Sequence, residues 1–265
     1  MLNLIIFSKD RACQLELLIR SMKKFFKEFN HTPINILYTY SNNDYKKGYD
    51  KLFRLHTDNN ILYIKENNFR LQTINLINIS NPFTIFFVDD NIFKENFSLR
   101  DDQFRNFVSD LNILTLSLRL HPRLSYCYPT NSIMTKPKFN SKLIYNWTTE
   151  RGDYGYPMSL DGHFFRTQEI KNLSSSIMFN NPNSYEFNLS RMPLNGNKII
   201  CYDKSIIVNN PINKVQTNNN NRFGNITSKY LNDNFLNNKI INIDKYCHID
   251  NISCHQELPV EFIDL

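Results

Sequence analysis

"FTIFFVDDNIF", Phe83 to Phe93, decides how the rest of the chain is read. An apolar run from Ile85 to Val88 ends abruptly in Asp89, Asp90 and Asn91, and the chain turns apolar again at Ile92. A short apolar run without alternation reads as a buried strand. Adjacent carboxylates repel one another, and each is costly to desolvate unless a cation or hydrogen-bond donors offset it. The acids therefore belong to a solvated loop, or something positive stands beside them.

Upstream of this stretch the pattern repeats. "LNLIIFS" reads as a buried strand, and "DRACQLELLIRSMKKFF" follows as a helix with Leu15, Leu18, Ile19, Met22 and Phe26 on one face, capped by Ser8 or Asp10. "INILYTY" and "NILYIK" are further strands, followed by the helical "YKKGYDKLFRLH" and "FRLQTINLINI". Strand and helix alternating at this spacing predict an α/β fold, Rossmann-like, with a mostly parallel central sheet flanked by helices. Downstream, "LRDDQFRNFVSDLNILTLSLRLHP" reads as one long helix ended by Pro122, and "LSYCYP" as a strand. Thr130 to Pro157 lacks periodicity and reads as a long loop. "GHFFR" is a strand, "TQEIKNLSSSIMF" and "NSYEFNLSRM" are helical, and "KIICYDKSIIVNN" reads as paired strands around a turn. No repeat or linker interrupts the chain. We read 1–265 as a single domain, with 1–120 and 121–265 as its two halves.

In open sheets of this kind ligands bind outside the carboxyl ends of the strands. Three such ends carry polar clusters: Ser8-Lys9-Asp10-Arg11, Ser41-Asn42-Asn43-Asp44 and Asp89-Asp90-Asn91. A strand-end pair of acids can share a hard divalent cation, Mn²⁺ or Mg²⁺, with a diphosphate. Asp10 can accept from a base or ribose, and Arg11 offers a fork of donors to a phosphate.

Composition narrows the classes. The 265 residues carry 41% hydrophobic and 14% aromatic side chains, enough for a sizeable core, and a formal charge of +6. That charge is dispersed, which suits a phosphate-bearing ligand or an anionic membrane surface better than nucleic acid. Five cysteines form no CxxC pair, so a reduced compartment is expected and a zinc or disulfide framework is not. The opening residues lack the basic region of a signal peptide, and no apolar run approaches the ~18 residues of a spanning helix. A cytoplasmic protein is expected, with peripheral membrane association open to it.

"IIFSKDRACQLELLIRSM", "YTYSNND" and "FTIFFVDDNIF", in that order, resemble the nucleotide-sugar-dependent glycosyltransferases of the A-type (GT-A) fold, and among them the large inverting family. The resemblance covers the order of elements over about the first 100 residues. It implies a nucleotide diphosphate sugar donor, a saccharide or lipid-linked acceptor and a role in surface glycan synthesis. It also implies that Ser8, Asp10, Arg11, Ser41 and Asp89 line the nucleotide pocket. Asp89 and Asp90 would bind the metal, with Asn91 standing where the family has a third acid. A C-terminal histidine returns to the metal in many members, which points to His255, with His248 as its rival.

An inverting transfer needs a base for the acceptor hydroxyl. Glu186, in "NNPNSYEFNLSR", stands where related enzymes place it, with Asp161 and Glu169 as substitutes. The aromatic residues of "YGYPMSLDGHFFR" could stack on a sugar, while His163 reads as a core histidine. Lys214 or Arg222 would reach the diphosphate from a flap. A nucleotidyltransferase would want a glycine-rich loop after the first strand, which "FSKDRACQ" is not, and an aspartyl phosphohydrolase would want its acids there. A carbohydrate- or nucleotide-binding protein on a degenerate transferase fold is the remaining alternative.

Overall fold

The computed structural model describes residues 2–213 and 222–265. The first half of the chain alternates as its pattern requires: β1 (Leu2–Lys9), α1 (Ala12–Phe25), β2 (Ile34–Thr39), α2 (Asn43–Leu55), β3 (Ile61–Lys65), α3 (Phe69–Leu76), β4 (Phe83–Val88), β5 (Asn91–Phe93), α4 (Asp102–Ser109) and β6 (Ile113–Ser117). The second half runs through β7 (Tyr126–Cys127), β8 (Ser132–Ile133), β9 (Ile144–Asn146), β10 (His163–Arg166), α5 (Thr167–Ser176), α6 (Pro182–Leu189), β11 (Lys198–Cys201), β12 (Ile207–Asn209), α7 (Ser228–Leu236), β13 (Lys239–Ile241) and β14 (Phe262–Asp264).

Eight strands form one sheet in the order β3-β2-β1-β4-β10-β6-β11-β9. The first four are parallel, as are β6 and β11, whereas β10 and β9 run antiparallel to their neighbours. Side chains alternate across the sheet, so Leu4, Ile6, Ile85 and Phe87 enter one core while Ile5, Phe7 and Phe86 enter the other. Residues of α1, α2, α4 and α7 cover the first face, and residues of α3, α5 and α6 the second. Both faces being covered, the central strands are apolar without alternation. Among the described residues no helix is long and apolar enough to cross a membrane.

Four local expectations are corrected. The stretch 99–122 is not one helix: α4 stops at Ser109, and the chain returns as β6, fully buried between β10 and β11. The Arg166 guanidinium donates to the carbonyls of Phe107, Asp110 and Ile113, satisfying the helix end and fixing the turn. "ILTLS" suits either period, and only its place inside the sheet makes it a strand. The strands of "KIICYDKSIIVNN" do not pair with each other: β11 joins the large sheet, and β12 pairs with β5. "LSYCYP" gives only the two residues of β7, paired with β8, so the supposed loop 130–157 holds β8 and β9. Finally, neither Ser8 nor Asp10 caps α1, whose N-cap is Arg11, without a side-chain bond.

Gly162 positions the entry to β10 against the end of β4. Its φ is +68°, its N–H donates to the carbonyl of Phe86, and a Cβ there would stand 2.4 Å from Ile207 Cδ1. Glycine is required on both counts, conformation and space. Gly162→Ala is expected to lower stability by about 1–3 kcal/mol, read as a shifted urea midpoint at unchanged slope.

Candidate active site

The polar residues that close β1, β2 and β4 meet at one edge of the sheet. Ser8 Oγ donates to Asp89 Oδ2 at 2.9 Å, and the Lys9 N–H reaches the same oxygen at 3.1 Å. Arg11 Nη1 donates to Asp89 Oδ1 at 3.0 Å and lies 3.6 Å from Asp90 Oδ2. Asp89 is thus saturated by donors from the first strand and the residues after it. The fully buried Tyr49 contacts Ser8 Oγ at 2.7 Å and accepts from the Arg11 N–H, locking this corner from α2. Asp10, at φ +56°, accepts from the Ser41 N–H at 2.7 Å and so ties the ends of β1 and β2 together. The rest of the Arg11 fork is taken by Asn213, through its Oδ1 at 2.7 Å and its carbonyl at 2.6 Å.

Asp90 stands further out. Its Oδ1 accepts from Asn209 Nδ2 at 3.2 Å. Burial pushes its carboxyl up to about 6 against the pull of Arg11, with the charges of Asp161 and Asp89 adding to the rise. Asn91 is fully buried in β5, and its Oδ1 accepts from the Val88 N–H at 2.9 Å. That amide closes the turn around the acids.

The second half of the chain brings a second cluster to the same edge. Because β10 is antiparallel to β4, the residues that precede it, Asp161 and Gly162, arrive at the carboxyl end of β4. Asp161 Oδ2 lies 3.4 Å from Arg119 Nη1 and 3.5 Å from His255 Nε2. Arg119, just beyond β6 and 2% exposed, also lies 3.3 Å from Asp153 Oδ1. Burial alone would raise the Asp161 carboxyl; the His255 bond and the Arg119 charge outweigh it and hold Asp161 well below the usual range. His255 is raised by that partnership, against its burial. The C-terminal segment reaches this point by pairing with β12: the Asn209 N–H donates to Cys254 O, and the Gln256 N–H to Asn209 O.

Glu186 completes the cluster from α6, though not as that helix's cap. Asn181 and Ser184 form a capping box, and Glu186 stands further along, accepting from the Leu160 N–H at 2.9 Å. Burial raises its carboxyl and the neighbouring Asp161 charge raises it further, with Arg119 partly opposing them. Asp161 and Glu186 are therefore pulled in opposite directions.

Other expected residues lie elsewhere. Glu169 follows Arg166, which pairs with Phe83 at the far end of β4, so it sits at the opposite edge. His248 pairs with Glu95 at 2.9 Å, away from the acids. His163 is fully buried, with Nδ1 bonded to Pro157 O, and burial lowers it to about 3, as suits a core histidine. Arg222 bonds the Tyr126 hydroxyl at 2.8 Å and stacks on Tyr128, and Lys214 lies outside the described residues. Arg119 and Asp153 were missed from sequence. Their signal was faint, a lone arginine inside the apolar "LTLSLRLHP".

Among the described residues no group of three or more His, Cys, Asp or Glu side chains is arranged to hold an ion. Asp89 has both oxygens engaged, Oδ2 by two donors and Oδ1 by Arg11 alone. Burial raises the Asp90 carboxyl despite Arg11 at 3.6 Å, and His255 Nδ1 is buried with no hydrogen-bond partner among the described residues. Ions of the Mg²⁺ class need only one or two protein ligands when a diphosphate supplies the rest. Arg119 is the structural hub: Arg119→Met leaves Asp153 and Asp161 buried without their counter-charge. A loss of about 3–5 kcal/mol is expected in denaturant unfolding.

No family model matches the chain. In sequence it is similar to the bifunctional glycosyltransferase pgtA of Dictyostelium discoideum, 29% identical over 223 residues that make up 72% of this chain and 28% of that one. The chain thus spans less than a third of that relative's length. In fold it is similar to TarS of S. aureus, with a TM-score of 0.50 and 12% identity over 78% of this chain and 36% of that one. A mannosyltransferase of Pyrobaculum calidifontis, solved with GDP-Man and Mn²⁺, is more distant, at a TM-score of 0.44 and 9% identity over 78% of this chain and 56% of that one. The chain is thus similar in sequence to a glycosyltransferase, and its fold is similar to that of TarS.

Proposed function

We propose that this protein transfers a sugar from a nucleotide diphosphate sugar to an acceptor hydroxyl, with inversion and with the help of a divalent cation. The observation that carries the reading is the meeting of Asp89, Asp90, Asp161, His255 and Glu186 at one sheet edge, drawn from both halves of the chain. In this reading residues 1–120 hold the nucleotide and 121–265 the acceptor.

Ser8, Asp10, Arg11, Ser41 and Asp89 form the nucleotide side. Asp89, held rigid by Ser8, Lys9 and Arg11, presents a fixed carboxylate edge toward the end of β1. Asp90 and His255 would hold Mn²⁺ or Mg²⁺, and such an ion, when bound, stabilises charge on a departing diphosphate. Arg119 keeps Asp161 ionised, and Asp161 in turn orients His255.

Glu186 is the base. Burial and the Asp161 charge raise its carboxyl, so it binds a proton more tightly than an ordinary glutamate, as a base must. Asp161 is a poor base by the same logic, since two cationic partners depress it. The donor sugar, the acceptor's identity as saccharide or lipid-linked glycan, and a place in surface glycan synthesis at the cytoplasmic face belong to this proposal too.

The rival is a binding protein on the same fold, and a panel of nucleotide sugars with Mn²⁺ separates the two. An active enzyme is expected to release nucleoside diphosphate slowly even without acceptor; no release from any donor, with nucleotide still bound, would favour the rival. Glu186→Gln is expected to lower kcat by about 10²–10⁴-fold with donor affinity retained. In the wild type kcat/KM should fall as pH drops through the raised Glu186 pKa, because protonation removes the base. That acidic limb should be missing from the residual activity of Glu186→Gln. EDTA should abolish transfer, and a direct titration should show Mn²⁺ binding that Asp90→Ala weakens; full activity in EDTA would rule out the cation.

A further inference from the structure

Between Asp110 and Glu150 the chain carries no acidic residue, while Arg119, Arg123, Lys136, Lys138 and Lys142 fall inside that interval. Arg119 serves the buried acids, and Arg123 lies 3.4 Å from Asp203. The three lysines are exposed, and among the described residues none of them pairs with an acid. They follow the hairpin of β7 and β8 directly, so positive charge without a counter-ion adjoins it.

That hairpin turns apolar side chains outward. Ile133 in β8 is 90% exposed and stands directly opposite the half-buried Tyr126, on the same face. On the other side of Tyr126, the N–H groups of Ser125 and Tyr126 both donate to Ile252 O, at 3.0 and 3.1 Å, and Ile252 is 57% exposed. Two isoleucines thus flank one tyrosine on hydrogen-bonded backbone. The lysines are held out by what turns inward beside them. Met134 and Pro137 are buried, and Phe139 packs on Tyr145 and Tyr154, which leaves Lys136 and Lys138 facing solvent.

Exposed aliphatic side chains beside unpaired lysines suit the headgroup region of a bilayer, where isoleucine reaches the acyl boundary and lysine meets anionic phosphate. Nucleic acid is poorly matched, because the two most protruding side chains are aliphatic and give a base no ring to stack on. Of the acids in adjoining segments, Asp203 is answered by Arg123, and Glu257 accepts from the Tyr128 hydroxyl. That leaves Asp250 against three lysines.

The surface is also tied to the candidate active site. The Tyr128 N–H donates to Ser253 Oγ at 3.2 Å, and Ile252 precedes His255 by three residues, at most ~10 Å of chain. The hairpin is therefore bonded to the segment that brings His255 to the acids.

We propose that the β7–β8 hairpin and the adjoining Ile252, with Lys136, Lys138 and Lys142, dock this protein on an anionic phospholipid bilayer. The docking does not depend on the transferase reading, which adds only that an acceptor carried by a lipid is then presented beside the acidic edge.

Flotation of the full chain with vesicles tests the proposal, using phosphatidylcholine alone and equal parts phosphatidylcholine and phosphatidylglycerol, at low and at high ionic strength. Binding to the mixed vesicles is expected to exceed binding to phosphatidylcholine by about tenfold or more and to weaken with salt. Lys136→Gln with Lys138→Gln should lower the partition coefficient by about tenfold, and Ile133→Ser by about fivefold, each at an unchanged urea midpoint. Lys239→Gln with Lys245→Gln, the same change of charge elsewhere on the surface, should lower it by less than about twofold. No binding to the mixed vesicles, or an equal loss in that control pair, overturns the proposal. Binding that Ile133→Ser leaves intact and soluble polyglutamate displaces overturns it too, and points to an acidic protein partner. Vesicle binding as expected, in a wild type that neither transfers sugar nor hydrolyses any donor, counts against the transferase reading alone.

Discussion

Asp89, Asp90, Asp153, Asp161 and Glu186 crowd one edge of this sheet beside the backbone-bonded Asp10, and among the described residues the guanidinium groups of Arg11 and Arg119 answer them. The remainder of the site follows from that imbalance. Arg11 serves the two acids of β4, and Arg119 serves the two acids brought by the second half. His255 gains a proton's worth of attraction from Asp161. Burial raises the carboxyls of Asp89, Asp90 and Glu186 alike, and of these Asp90 and Glu186 have the more distant counter-charges. An edge that keeps surplus negative charge while its neighbours are neutralised is a place where a cation and a proton can be exchanged without rebuilding the fold.

The strand that makes this possible is the antiparallel one. With β10 running against β4 and β6, Asp161 is delivered to the carboxyl ends of the parallel strands, while Arg166 and Glu169 are carried to the other edge. Gly162 permits the tight entry. Had β10 been parallel, the residues before it would have emptied onto the far side and left Arg119 with one acid fewer. The eight-stranded sheet also runs without a break from the first half of the chain into the second, so the two sets of acids are registered by backbone hydrogen bonds rather than by a hinge.

The first ninety or so residues were legible because local pattern and global place agree there: each strand is apolar and short, each helix amphipathic, and the polar residues fall at the strand ends. Legibility failed where a segment's identity depends on its neighbours. "ILTLS" continues a helical spacing in sequence, and it becomes a strand because β10 and β11 stand on either side of it. Arg119 was lost with it, since an arginine on a supposed amphipathic helix looks like a solvated face. Glu186 lies in α6 beyond the capping box of Asn181 and Ser184, a placement that its local sequence did not specify. Chemistry-bearing residue types could be read from the chain; their counter-charges could not, because those come from segments distant in sequence.

Asn91 bears most directly on the acidic motif. By position in the chain it replaces a third acid, and by that measure the site is impoverished. In the fold it belongs to β5, fully buried, with its Oδ1 engaged by the Val88 N–H. A carboxylate at that point would add a buried charge to an edge already short of cations, and no guanidinium is placed to offset it. A neutral amide closes the same turn without that cost. On the reading proposed above, the ligand missing from the motif comes from the other end of the chain. His255 is carried there by its pairing with Asn209, and Asn209 itself holds Asp90. The amide is then a condition for packing two acids at the strand end, and the histidine supplies a ligand that is neutral when deprotonated and so adds no further negative charge.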